Sequence, residues 1–127
     1  MGRLMGRLLL AAAMVASGLL HADLYVHGYR HIPVIGTAFL IQASVFGALG
    51  LLIAVGAPQW FGWVSGVLSA GALVAFGLSR TTGLFGFVEQ GLEPVPYALL
   101  AVLAEAAAVL LVGVRVVLSR RIDVGGL

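Results

Sequence analysis

The chain has 127 residues, of which 61% are hydrophobic and 9% charged, and its mean hydropathy is +1.12. A water-soluble domain carries about a quarter charged residues, so this composition predicts an integral membrane protein with the lipid bilayer as its solvent and one domain, 1–127, without a separate soluble module. The net charge of +2 comes from seven arginines against five acids, with no lysine and no cysteine. The absence of a basic tract with interleaved aromatics excludes nucleic-acid binding, and the absence of cysteine excludes disulfides, thiolate metal sites and cysteine nucleophiles.

A membrane-crossing helix needs about 20 mostly apolar residues, and four segments meet or approach that length. The first is the shortest. Its apolar run, Leu8 to Leu20, is followed at once by His21 and Asp23, and Arg3 and Arg7 precede it. A basic leader, a short apolar run and small residues such as Ala16-Ser17 also fit a signal peptide; the expectation is an uncleaved helix over 4–25 with His21 and Asp23 at its wet end. The second span covers 34–55 and stops at Gly56-Ala57-Pro58. The third covers 60–79 and stops at Arg80. The fourth covers 95–118, before Ser119-Arg120-Arg121.

Arginines concentrate on the cytoplasmic side of membrane proteins. Here Arg3, Arg7, Arg115, Arg120 and Arg121 lie near the termini, against Arg30 and Arg80 in the two longer loops. Four spans put both termini on one face, so the predicted fold is all-α, a transmembrane four-helix up-down bundle with cytoplasmic N- and C-termini. Tyr25, Tyr29, Phe85, Phe87 and Tyr97 then mark the outer interface, and Trp60 and Trp63 the inner one. All-arginine cation usage in an Ala, Gly, Val and Leu-rich chain points, by association, to a bacterial plasma membrane.

Helices in lipid associate through small residues. Gly62, Gly66 and Ala70 repeat every four on the third span, and Ala104 and Ala108 on the fourth. They are expected to pack the bundle itself or to dock a second copy or a larger membrane complex.

All three histidines fall in the segment His21 to His31. If helical throughout, Asp23, His27 and His31 would form one stripe, and with His21 they are the candidate ligands for zinc or copper, with Glu89 and Glu93 in the other outward loop. Gly28 and Pro33 oppose a continuous helix, and the competing expectation is a solvated loop in which Arg30 or Arg80 pairs with acids. A haem is disfavoured, because the histidines do not come from facing helices.

Glu105 lies ten residues into the fourth predicted span, about 15 Å deep at helical rise. An ionisable group there marks a functional site by default. Ser17, Gln42, Ser44 and Ser69 reach comparable depth on the other three helices, giving a buried polar layer. It serves either a proton or cation path or a neutral Glu105 held by Gln42 and a serine.

There is no phosphate-binding P-loop, no H-E-x-x-H and no G-x-S-x-G. The stretch Gly83-Leu84-Phe85-Gly86-Phe87 is expected to press its aromatics into lipid headgroups. In size the chain resembles the small multidrug-resistance transporters, but their essential glutamate belongs to the first helix, and no residue carries across. Gly28 to Gly36 after the first span and Gly83 to Glu89 after the third resemble the corresponding stretches of uncharacterised small four-span membrane proteins of actinobacteria. That resemblance implies a topology and no activity. The expectation is a non-enzymatic accessory or scaffold subunit of a membrane complex, the alternative a proton- or metal-linked small transporter using Glu105 and the outward His/Asp cluster.

Overall fold

The computed structural model describes residues 2–125, without the side chains at 123 and 124. The described residues form four long helices, α1 (Gly2–Val26), α2 (Ile35–Ala54), α3 (Trp60–Ser79) and α4 (Tyr97–Gly125), with a 3-10 turn at Tyr29–His31 and no strand among them. All four helices are long and apolar enough to cross a membrane.

The helix ends follow local chemistry. Gly28, at φ 152°, ends the run from α1, so His31 leaves the stripe that a continuous helix would have made. Val34 sits at φ 66° and caps α2 from outside, so α2 starts one residue later than the apolar pattern predicts. The fourth helix begins at Tyr97 instead of Val95, since prolines at 94 and 96 supply no N–H and restrict the residue before each. It also runs past Arg120 and Arg121 to Gly125. Those charges project from a helix that continues beyond its apolar part.

α1 packs along α2 and α4, and α3 packs along α4, while α2 and α3 barely touch. The α1–α2 seam is a close backbone approach. A Cβ on Gly18 would stand 2.9 Å from the Gly47 nitrogen, and one on Gly50 would stand 2.9 Å from the Ala11 carbonyl oxygen. Glycine is required at both positions because the obstacle is backbone. This seam carried no mark in the sequence reading, whereas the predicted stripe on α3 is used at Gly62 and Gly66. Gly66 lies against Val112, and Gly62 near Leu10 and Arg115. Ala108 is fully buried, while Ala70 and Ala104 are only partly so. The apolar centre joins Leu10, Ala11 and Met14 of α1 to Phe46, Leu49 and Ile53 of α2 and Ala108 of α4. The outward faces stay apolar, with Leu51, Val67 and Leu110 all about two-thirds exposed, as a lipid-facing surface requires.

Gly6 lies beside the Arg115 guanidinium, so the start of α1 and the far part of α4 share one end of the bundle. We call this the terminal end. The opposite end, carrying Tyr29–His31 and the segment 80–96, is the loop end.

Candidate functional site: a buried carboxyl below a loop-end cavity

Glu105 is 3% exposed and lies where α1, α2 and α4 meet. Its Oε1 accepts two hydrogen bonds, from Gln42 Nε2 at 2.9 Å and from Ser17 Oγ at 3.3 Å. Gln42 and Ser17 therefore form the predicted polar layer with Glu105. Ser44 and Ser69 do not. Ser44 is exposed and donates to its own helix at the Leu40 carbonyl, 2.9 Å away. Ser69 is buried but turns to Met14 Sδ at 3.4 Å. The two serines point to other sides of their helices than the one that faces Glu105.

The structure adds His21 to this layer. Its Nδ1 lies 2.8 Å from the Ser17 carbonyl oxygen. A carbonyl can only accept, so Nδ1 carries the proton and a neutral ring presents the bare Nε2 as an acceptor. That Nε2 faces Glu105 Oε1 at 3.7 Å, a gap too long for a direct hydrogen bond but within the range of an ion pair. The ring is held edge-on by Phe39, with centroids 4.9 Å apart. His21 sits four residues after Ser17, so both fall on one helix face. That spacing was the available signal for placing His21 inward.

Glu105 and His21 line a cavity of about 80 Å³, room for a few waters. Its walls include Phe39 of α2, Phe76 of α3 and the small Ala98 and Ala101 of α4, and it extends to Tyr29, Arg80 and Phe87 at the loop end. The small side chains and the thin α2–α3 contact leave this space unfilled. Tyr29 stacks on Phe39 at 4.9 Å and meets Phe87 edge-on at 5.7 Å. Phe87 thus packs toward the protein, and of the two loop aromatics only Phe85, 73% exposed, points away as predicted for both.

Polar contacts gather at the cavity mouth. The Tyr29 hydroxyl donates to Glu89 Oε2 at 3.2 Å. Partial burial, then the Glu89 charge and hydrogen bond, push the Tyr29 phenol up to about 12. Arg80 donates through Nε to the Gly91 carbonyl at 3.0 Å and through its terminal nitrogens to the Glu93 carbonyl and the Ser79 hydroxyl, with its guanidinium 4.0 Å over the Phe76 ring. The expected Arg–acid pairing across the loops is replaced by arginine tying the 80–96 segment through backbone carbonyls. Burial lowers the Arg80 value, opposed by Tyr29 and Glu89, and an arginine so placed keeps its charge.

The four residues proposed as metal ligands are not brought together. His21 turns inward to Glu105. Asp23 and His27 pair with each other at 3.2 Å on the exposed flank of α1. His31 accepts from Arg30 Nε at 3.2 Å. Among the described residues no three His, Asp or Glu side chains form a group that could hold a metal ion. The reason is geometric: α1 ends before His31, and residues two apart on a helix point to different sides.

Compared with protein families, curated proteins and solved structures, the chain matches none. Its four long apolar helices are compatible with a small multi-pass membrane protein.

Proposed function

We propose that this chain is a small, non-enzymatic proton-linked membrane transporter in which Glu105 gains and loses a proton against a small cationic solute. The observation that carries the reading is the buried Glu105–His21 pair at the floor of a cavity that extends to the loop end. A membrane-embedded carboxyl with a facing imidazole is a proton relay in chemical type. Aromatic walls and a carboxylate favour a cation. A hydrolytic role has no support from the arrangement, since His21 bonds to the Ser17 carbonyl and not to its hydroxyl.

The supporting topology is an up-down bundle in the bacterial plasma membrane with both termini cytoplasmic. Contacts from Ala11 to Gly50 and from Gly18 to Gly47, and from Ser17 to Glu105, favour alternating helices, and the arginine bias favours this orientation. In that orientation the cavity meets the outer face.

The test is proton release from purified protein in weakly buffered detergent as small alkylammonium ions are added. Saturable release by wild type, absent from Glu105→Gln, is the expected result. Equal release from both proteins, or none from the wild type, overturns the reading.

A second reading, a scaffold subunit in a larger complex or a homo-oligomer, is favoured by the thin contact between α2 and α3, a line along which another helix could seat. The predicted docking residues Gly62, Gly66 and Ala108 support it less, being buried within this bundle.

A further inference from the structure

A second groove, of about 480 Å³, lies at the terminal end between α1 and α4. Two arginines from the two helices, Arg3 and Arg115, line it together with Gly2 and Ser119, and among the described residues no acidic side chain does. Its remaining wall is apolar and includes Leu10, Leu110, Val114 and Leu118. Leu110, Val114 and Leu118 are each more than half exposed, so the apolar wall runs out onto the lipid-facing surface of α4.

The charges at this end have little to satisfy them. Among the described residues no carboxylate pairs with Arg3, Arg7 or Arg115. Arg7, one turn beyond Arg3 on α1, has its Nε buried with no hydrogen-bond partner. The first turn of α1 has no acid, and the N–H groups there add positive potential. Arg3 and Arg115 thus face one groove from two helices, with the positive potential of the α1 N-terminus beside them.

We propose that this groove seats an anionic phospholipid, its phosphate between Arg3 and Arg115 and one acyl chain along Leu110 and Val114. The chemistry selects this occupant. Arginine pairs with phosphate oxygens through a planar fork of donors, and basic pockets between membrane helices bind anionic headgroups. A free phosphate would leave the exposed apolar wall unused. A zwitterionic lipid would bring a cationic group beside Arg3 and Arg115. The site is separate from the Glu105 cavity and stands without any reading of that cavity's role.

The experiment is thermal unfolding and native mass spectrometry of the full chain in mild detergent, with dioleoylphosphatidylglycerol, dioleoylphosphatidylcholine or inorganic phosphate added. Phosphatidylglycerol is expected to be retained and to raise the melting temperature more than phosphatidylcholine does, with inorganic phosphate giving little protection. Arg3→Gln, at an exposed position, should weaken phosphatidylglycerol binding about fivefold, since each arginine near an anionic lipid surface contributes roughly 1 kcal/mol. Arg115→Gln should weaken it at least as much. Arg120→Gln, outside the lining, serves as the comparison and should change it less. Equal retention of the two lipids, equal protection by inorganic phosphate, or equal loss in Arg3→Gln and Arg120→Gln would overturn the proposal.

Discussion

The two ends of this bundle solve opposite problems with the same apolar composition. Toward the terminal end α1 and α2 press backbone to backbone at Gly50 and Ala11, and Leu10, Met14, Phe46 and Ile53 fill the centre. Toward the loop end Phe39, Phe76 and small alanines surround a space they do not fill, with Glu105 and His21 at its floor. Close packing of small residues supplies association in lipid where no hydrophobic force between helices exists. Close backbone packing thus holds α1 to α2 at one end, and a buried polar group stands beside a cavity at the other. That seam holds Ser17 of α1 and Gln42 of α2 where both reach the same Glu105 oxygen.

The largest expected effect breaks the loop-end half of that comparison. Glu105→Gln retains shape and hydrogen bonding to Ser17 and Gln42, so the protein should purify as a folded bundle while cation-driven proton release vanishes. Glu105→Leu should lose the release too, and it also leaves Ser17 and Gln42 without their acceptor. Its melting temperature should fall below that of Glu105→Gln. Similar melting temperatures for the two variants would show that the Glu105 hydrogen bonds contribute nothing to the packing.

Next comes the glycine seam. Gly50→Ala sets a methyl against the Ala11 backbone and should cost about 1–3 kcal/mol as overpacking, read by unfolding in detergent. Gly71→Ala has nothing within 4 Å of the added carbon and should be neutral or stabilise by up to about 1 kcal/mol through helix propensity. Equal effects of the two substitutions would remove the seam from the account.

A smaller effect belongs to the cavity mouth. Tyr29→Phe deletes the hydroxyl bonded to Glu89 and should cost about 1 kcal/mol. The pH dependence has a defined sign. Tyr29 holds its proton to about 12 in the folded chain against 10.0 when free, so the folded state binds this proton more tightly than the unfolded one. Its stabilising contribution is fully present below pH 10 and is lost as pH rises toward 12. Ultraviolet titration of the phenols should find one that ionises late in wild type and is missing in Tyr29→Phe.

The smallest effect is expected on the exposed flank of α1. His27→Ala removes a surface pair with Asp23, worth at most about 1 kcal/mol, and should leave both proton release and stability near wild type. Zinc titration should give no binding tighter than about millimolar, because the candidate ligands stand apart. Tight stoichiometric zinc binding would show that the loop end rearranges around a metal.

Four apolar runs and their breakers were readable from residue order, because hydropathy and helix length are properties of the chain alone. So was a shared level of Glu105, Gln42 and Ser17 along their helices, which the hydrogen bonds between them match. What could not be read was rotation about each helix axis. Gln42 and Ser44 differ by two residues, about 200° around the helix at 3.6 residues per turn, so only one can face the carboxyl. Packing at Gly18 and Gly50 decides which. The start of α4 was misjudged for a different reason: Val95 continues the apolar pattern, but the flanking prolines govern the backbone. His21 stands close in sequence to the outward histidines, but its four-residue spacing from Ser17 puts it on the inward face of α1.

In the proposed function the Glu105 carboxyl, though buried, exchanges its proton through the loop-end cavity. Infrared difference spectroscopy of reconstituted wild type against Glu105→Gln, in water and in deuterium oxide, tests this most directly. The expected result is a carboxylic-acid band, absent from the variant, that titrates with pH and shifts promptly on exchange into deuterium oxide. A Glu105 band that neither titrates nor shifts would contradict it and leave the carboxyl as a structural hydrogen-bond partner sealed from both faces.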